Sequence, residues 1–253
     1  MIRNYFQARK LRPYKTCSFM LDLAGRKIKT SERSEPAEGI HFEMGATTYL
    51  SSNGFESESS SENCIRIDTP QLPNAVRPGD IISFNDGNFG AVVLEVAEDS
   101  VRVQFKEEGT IMPAQAIRIP GHRLASIPIL RQSDLGLIEE LAIGFKMDYV
   151  CVPNVTSVKD LQESKEALGK AGQSIGIIAK VDNLESVHQF EGILKYADAV
   201  VVLRNELAFE LMPEKLMLAQ KWMIQTANMA SVPIFLQSQV LETQVSGQTN
   251  ESR

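Results

Sequence analysis

No stretch of this 253-residue chain approaches the roughly 18 consecutive apolar residues that a membrane-spanning helix needs. The opening MIRNYFQARKLRPYK also has no apolar core of the kind a secretory leader carries. Its basic, acid-free start leaves room for a transit peptide, although Pro13 and the lack of an apolar face count against one. Cysteine is scarce: Cys17, Cys64 and Cys151 are odd in number and far apart, which excludes a disulfide framework and zinc-ligand spacing. A reducing, cytoplasmic setting is therefore expected. There is no surplus of basic residues either, with 26 Lys and Arg against 32 Asp and Glu and a net charge of -6. That balance excludes a general nucleic-acid binder and leaves a local basic pocket open. What the chain has in quantity is apolar residues, 43%, enough to bury one large core or two smaller ones.

The first candidate strand is CSFMLDL (17–23), followed by AGRKIKT, where Gly25 marks a turn and Arg26, Lys27 and Lys29 follow as cations. Composition alone favours a solvated loop for these cations. Residues 31–63 are polar and irregular, and SSNGFESESSSEN reads as a mobile loop. From Ile65 to Pro120 the texture changes to short β-like runs, IRI, DIISF, NFGAVVLEV, SVRVQF and AIRIP, with a hairpin signal at Asn85-Asp86-Gly87. The alternation in VRVQF predicts half-buried antiparallel strands, and the whole stretch an all-β module.

From about Leu124 strands alternate with amphipathic helices. Asp134 caps a predicted helix over LGLIEELAIGF, DYVCVP (148–153) is a strand, and VKDLQESKEALGKAG (158–172) is a helix stopped by Gly172. Strands are expected at 175–179, 199–203 and 233–236, with helices near 185–196, 213–229 and Leu241. Strand starts fall roughly 24 to 34 residues apart, the size of a βα unit, and their continuous Val/Ile runs suit a parallel sheet buried on both faces.

Polar residues cluster just after each strand: Asn154, then Lys180, Asp182 and Asn183, then Arg204, Asn205 and Glu206, then Gln237, Ser238 and Gln239. A (β/α) barrel gathers its reacting groups at the carboxyl ends of its strands, and an open parallel sheet places its ligand similarly. Lys180 and Asp182, two apart on a strand, share a face. With Glu206 from the next strand they offer two carboxylates for a hard cation and an ammonium for the anion beside it. A structural ion pair of Lys180 with Asp182 or Glu206 explains the same residues equally well.

From about Pro78 to Thr243 the chain resembles pyruvate kinase. The family's Lys-Ile-Glu-Asn strand end matches Lys180-Val181-Asp182-Asn183, and its Ala-Arg-Gly-Asp-Leu-Gly matches Leu203 to Ala208. Its next helix resembles Pro213-Glu214-Lys215 and Leu218 to Ile224, and its Ala-Thr-Gln-Met-Leu-Glu resembles Gln237 to Glu242. Asn85-Asp86-Gly87 and Ile119-Pro120-Gly121 match its small β domain, and LDLAGRKIKT is similar to its Leu-Asp-Thr-Lys-Gly-Pro-Glu-Ile-Arg-Thr. The resemblance implies an α/β fold, a partial TIM (β/α)8 barrel with an inserted small all-β domain. The expected division is 1–27 (one barrel strand), 28–124 (inserted β domain) and 125–253 (four βα units). Two leading strands, the eighth strand and the C-terminal domain of the family lie outside this sequence.

The activity implied is phosphoryl transfer from phosphoenolpyruvate to ADP, giving pyruvate and ATP. By resemblance Lys180 is the catalytic lysine, Asp182 and Glu206 hold Mg2+ or Mn2+, Asn205 and Ser238 contact substrate, and Asp22, Lys27 and Lys29 form the nucleotide and monovalent-cation region. The family's order at the metal is Glu then Asp, exchanged here. Ser238 replaces a threonine, Asn205 a glycine, Gln115 a phosphate-contacting lysine and Lys29 an arginine. Leu23 with Lys27 is the pair carried by potassium-independent members, so K+ is not expected to be required. With these departures, the expected activity of the chain alone is impaired. The alternative is a non-catalytic relative that associates with a full-length pyruvate kinase as a homo- or hetero-oligomer, or a gene fragment. No membrane or nucleic-acid partner is expected.

Overall fold

The structure, a computed structural model, describes residues 17–84, 89–119 and 124–237, together with residues 4, 7, 10 and 11. The expected turn at 85–87, Pro120-Gly121, Ser238, Gln239 and the helix near Leu241 lie outside the described residues.

The chain enters through β1 (Met20–Asp22) and then builds a β unit before returning to βα repeats. That unit holds β2 (Ile28–Lys29), β3 (Ile40–Phe42), β4 (Thr47–Ser51), β5 (Cys64–Arg66), the helical turn α1 (Leu72–Ala75), β6 (Ile81–Phe84), β7 (Phe89–Val96), β8 (Ser100–Phe105), β9 (Gly109–Ile111) and β10 (Ala116–Arg118). Seven of these strands form one sheet in the order β2-β10-β6-β7-β8-β4-β5, and β3 pairs with β9. Alternation does the work. Val101, Val103 and Phe105 of β8 point inward, where Phe105 stacks on Phe42 with ring centroids 4.4 Å apart.

Residues 31–63 are not a bare loop. They supply β3 and β4, and Thr48, Leu50 and Ser51 are buried. The inward residues of TTYLS are partly hydroxylic, so the alternation carries little hydropathy contrast and reads as polar.

The repeats that follow are α2 (Gln132–Leu137) continued by a π-helical turn (Ile138–Ile143), β11 (Tyr149–Val152), α3 (Val158–Leu168), β12 (Gly176–Val181), α4 (Leu184–His188), α5 (Phe190–Leu194), β13 (Ala199–Leu203), α6 (Arg204–Leu207), α7 (Pro213–Met229) and β14 (Ile234–Gln237). Several boundaries differ from expectation: β12 runs through Val181 and β14 through Gln237, so Lys180 and Gln237 lie within strands rather than after them. Asp134 is the third helical residue rather than the cap, accepting from the Arg131 N–H at 3.0 Å. α3 stops at Gly169, whose φ of 56° takes the left-handed turn that Gly172 was expected to make. The single helix at 185–196 is two short ones, meeting at Gln189.

β1, β11, β12, β13 and β14 form a five-stranded parallel sheet in sequential order, the arrangement of a partial (β/α) barrel. One face, with Val150, Val152, Ile177, Ala179, Val181, Val200 and Val202, packs against the helices. The other carries Cys151, Ile178, Ala199 and Val201. Lys180 shares that second face by its two-residue spacing from Ile178. Among the described residues the sheet ends at β1 and β14, and Phe235 and Leu236 of β14 are exposed. Leu23 and Ile129 belong to the core of this sheet, whereas Ile28 and Ile127 belong to the core of the β unit.

Candidate active site

A cleft of about 720 Å3 opens at the carboxyl ends of the parallel strands, with the β unit as its opposite wall. Asp22, Asn154, Lys180, Asp182 and Glu206 line it from the barrel side, and Lys27, Lys29 and Arg118 from the other. The side-chain pattern of the β unit explains this wall. Ile28 and Ile117 are register partners and buried, so Lys29 on β2 and Arg118 on β10 point the opposite way, and Lys27, just before β2, is exposed on the same side.

Lys180 is 7% exposed, and its ammonium lies 2.7 Å from each oxygen of Asp22. It therefore pairs with neither of the two acids expected from spacing. A buried ammonium needs a counter-charge, and the half-exposed Asp22 carboxylate, two strands away, supplies it.

Asp182 is held by neutral donors. Its Oδ2 accepts from the Asn154 backbone N–H at 2.9 Å and the Asn154 amide at 3.2 Å, and its Oδ1 from the Asn183 amide at 2.9 Å. Burial pushes this carboxyl up to about 6, against the lowering effect of those hydrogen bonds and of Lys180. Asn154 sits at a φ of 54°, a left-handed conformation open to asparagine more readily than to most side chains, which turns its N–H toward Asp182.

Arg26 locks that turn from behind. It is 3% exposed, donates to the Asn154 carbonyl at 3.1 Å and to Thr156 Oγ1 at 3.2 Å, and is ion-paired with Asp160. The solvated-loop expectation thus fails for Arg26, whereas Lys27 and Lys29 are exposed in the cleft. The reason is long range: Asp160 at the start of α3 is 134 residues away in sequence.

Glu206 is ion-paired with Arg118, whose guanidinium carbon lies 4.3 Å from the centroid of the Phe209 ring. Asn205 is exposed and does not line the cleft. Gln115 is also turned aside, its side-chain oxygen accepting from the Met112 N–H at 2.8 Å. Arg118 was absent from the expected site, and Asn154 was placed among the polar residues after the strands without a role. Both had a signal in the sequence: Arg118 alternates with Ile117 and Ile119, and Asn154 follows a strand.

Two further features are structural. Cys151 lies on the apolar face beside this centre, where burial pushes its thiol up to about 12 and so keeps it protonated and unreactive. A larger cavity, about 870 Å3, opens at the amino ends of the strands. Its carboxylates Asp148 and Asp198 accept from the Phe19 and Ile177 N–H groups at 2.8 and 2.7 Å, tying strand starts together.

The residue types in the main cleft suit a hard divalent cation. Asp182 and Glu206 are oxygen donors on one wall, and the buried Asn154 Oδ1, without a hydrogen-bond partner, adds a neutral oxygen beside Asp182. Among the described residues no group of three or more His, Cys, Asp or Glu gathers for a metal. Magnesium commonly takes only one or two carboxylates and completes its shell with water and phosphate oxygens, so two are sufficient.

Residues 2–250 match the family model described as the pyruvate kinase barrel domain. The chain belongs to the pyruvate kinase family. It is 30% identical to a pyruvate kinase of Eimeria tenella over 245 residues, covering 96% of this chain and 45% of that protein. Against the Homo sapiens pyruvate kinase PKLR the identity is 27% over 235 residues, covering 92% and 40%. The crystal structure of a Cryptosporidium parvum pyruvate kinase superposes with a TM-score of 0.80 at 29% identity, covering 96% of this chain and 50% of that one. A structure described as Cryptosporidium parvum pyruvate kinase in complex with ADP gives a TM-score of 0.76 at 29% identity, covering 96% of this chain and 49% of that one. This pyruvate kinase relative therefore spans about half the length of the curated relatives it matches.

Proposed function

We propose that the cleft is a pyruvate kinase-type phosphoryl-transfer site, impaired in this chain alone. The observation that carries this is the convergence of Lys180, Asp182 and Glu206 on one cleft faced by Lys27, Lys29 and Arg118. In the reaction, the bond from phosphorus to the enol oxygen of phosphoenolpyruvate breaks and a bond to a terminal phosphate oxygen of ADP forms. Lys180 acts electrostatically: its N–H donors, pre-positioned by Asp22, stabilise the charge that develops on the enolate oxygen and on the transferring group. Asp182 and Glu206 hold the divalent cation, which when bound neutralises phosphoryl oxygens and orients them. Lys27 and Lys29 attract the nucleotide phosphates, and the Lys27 ammonium stands in for the monovalent cation, so K+ is not required. Asn205, facing solvent, is not assigned a substrate contact, and Ser238 keeps that role on resemblance alone. No helix among the described residues is long and apolar enough to cross a membrane. A cytoplasmic location is proposed from the cysteine content.

A second reading is favoured by the exposed Phe235 and Leu236 on the last described strand and the exposed Met217 and Leu218 on α7. Here the chain is a non-catalytic relative that docks these surfaces on a full-length pyruvate kinase. A lactate-dehydrogenase-coupled assay with phosphoenolpyruvate, ADP and Mg2+, run with and without K+, decides between them. Turnover that is indifferent to K+ and abolished by Lys180→Met supports the enzyme reading. Absence of Lys180-dependent turnover removes it in favour of the second, and strong K+ activation refutes the role given to Lys27.

A further inference from the structure

The two carboxylates of the cleft are committed to very different partners. Asp182 takes its direct hydrogen bonds from neutral amide donors of its own and the preceding strand end, and the cations Lys180 and Arg118 act on it only through space. Glu206 is paired with the full positive charge of Arg118, which arrives from the β unit across the cleft. The two side chains are 21% and 22% exposed, so water screens the pair only in part.

Arg118 is well anchored in this position. Its neighbours Ile117 and Ile119 are buried in the β unit, and its guanidinium rests on Phe209, three residues beyond Glu206. A guanidinium does not lose its proton, so repulsion between it and an incoming cation cannot be relieved by titration. It is relieved only if Arg118 leaves Glu206.

We propose that Arg118 is a built-in counter-ion that competes with a divalent cation for Glu206, so that metal loading of the cleft and the tie between the β unit and the parallel sheet exclude one another. This rests on the reading of Asp182 and Glu206 as the metal-holding carboxylates. In the metal-free protein the Arg118 bridge holds the two walls together over the cleft. Loading releases the bridge, while β10 keeps its pairing with β2 and β6 inside the β unit. The arrangement is autoinhibitory, because the charge that closes the cleft is the charge that a cation must displace.

Mn2+ titration of the full chain, followed by electron paramagnetic resonance, tests this. Arg118→Gln is expected to bind Mn2+ about tenfold more tightly than the unmodified chain, the effect of losing roughly one charge-assisted hydrogen bond in competition. Arg118→Lys, which keeps the charge and loses the fork, is expected to fall between. It carries the test if Arg118→Gln does not fold. By 15N NMR the guanidinium signal of Arg118 is expected to lose its exchange protection when Mg2+ is added to the unmodified chain, while the Ala116–Arg118 backbone, paired with β2 and β6, keeps its own. Equal or weaker Mn2+ binding by the Arg118 variants, with binding still abolished by Asp182→Asn, overturns the competition and leaves the carboxylate reading standing. Mn2+ binding insensitive to Asp182→Asn overturns both.

Discussion

Removing either partner of the Arg26–Asp160 pair is expected to be among the most damaging single changes in this chain, and the two removals differ. Their side chains are 3% and 5% exposed, and a buried ion pair that loses one member costs ~3–5 kcal/mol because the other charge remains in a dry place. Arg26→Met leaves Asp160 with three donors, the Thr156 N–H at 2.7 Å, its hydroxyl at 2.8 Å and the Ser157 N–H at 3.2 Å. Those bonds soften the loss, placing this variant near ~3 kcal/mol. Asp160→Ala leaves the Arg26 guanidinium with only neutral oxygens, Asn154 O and Thr156 Oγ1, and also deletes the capping box of α3. The lost cap adds ~1 kcal/mol, so this variant sits near ~5 kcal/mol. Total stability of a domain is only ~5–15 kcal/mol, so both are readily measured by urea unfolding followed by far-UV circular dichroism. The double variant buries no orphan charge and is expected to cost ~2 kcal/mol less than the sum of the singles. Singles costing under ~1 kcal/mol, or Arg26→Met costing more than Asp160→Ala, refute the reasoning.

Asp182 imposes a pH dependence. Its carboxyl moves from an ordinary 3.8 to about 6 on folding, so within that window the folded chain keeps a proton the unfolded chain has released. Stability is therefore expected to fall by up to ~3 kcal/mol as pH rises through the window in chelator-treated buffer, a slope absent from Asp182→Asn. Identical slopes in urea titrations of the two proteins contradict this. Gly25→Ala is expected to cost at least ~1–3 kcal/mol in the same assay, since φ is +61° and the added Cβ lies 2.6 Å from Pro153 Cγ. A change below ~0.5 kcal/mol shows that the Gly25 turn yields. Lys180→Met is expected to destabilise only modestly, because the Asp22 carboxylate it leaves is half exposed, while its effect on any turnover is complete. A loss of stability as large as that of Asp160→Ala makes Lys180 chiefly a structural cation.

Local pattern made much of the sheet legible. Ala199–Leu203 and Ser100–Phe105 coincide with the runs that announce them, one apolar throughout and buried on both faces, the other alternating. In 31–63, β4 was hidden because hydroxyl side chains point inward, and β3 because its Ile40 and Phe42 make too short an alternation to stand out from a polar stretch. At the site, the residue types after each strand were readable and their partners were not. Lys180 finds its counter-ion 158 residues upstream in Asp22, and Arg118 bonds an acid beyond three further strands. Spacing along a strand says which side chains share a face, but the choice of partner is made by the fold closing on itself. Asp182 and Glu206 reach the same cleft, yet the Asn154 that donates to one and the Arg118 that pairs with the other lie in no local window.

The position of Asp22 makes the charge at the centre of the sheet depend on its margin. Lys180 stands on the central strand of the five, flanked by paired neighbours on both sides, while Asp22 ends the three-residue β1 at the sheet's described margin. Marginal strands fray at a small fraction of the free energy needed to melt central ones. Asp22 is followed directly by Leu23 and Ala24, whose N–H groups donate to the Cys151 carbonyl and to Asp134 at 3.1 Å each, so the counter-ion is fastened from its downstream side. The charge state of the central lysine is thereby coupled to a neighbour two strands away, and whatever loosens β1 from β11 would raise the pull of Lys180 on an anion without moving Lys180 itself.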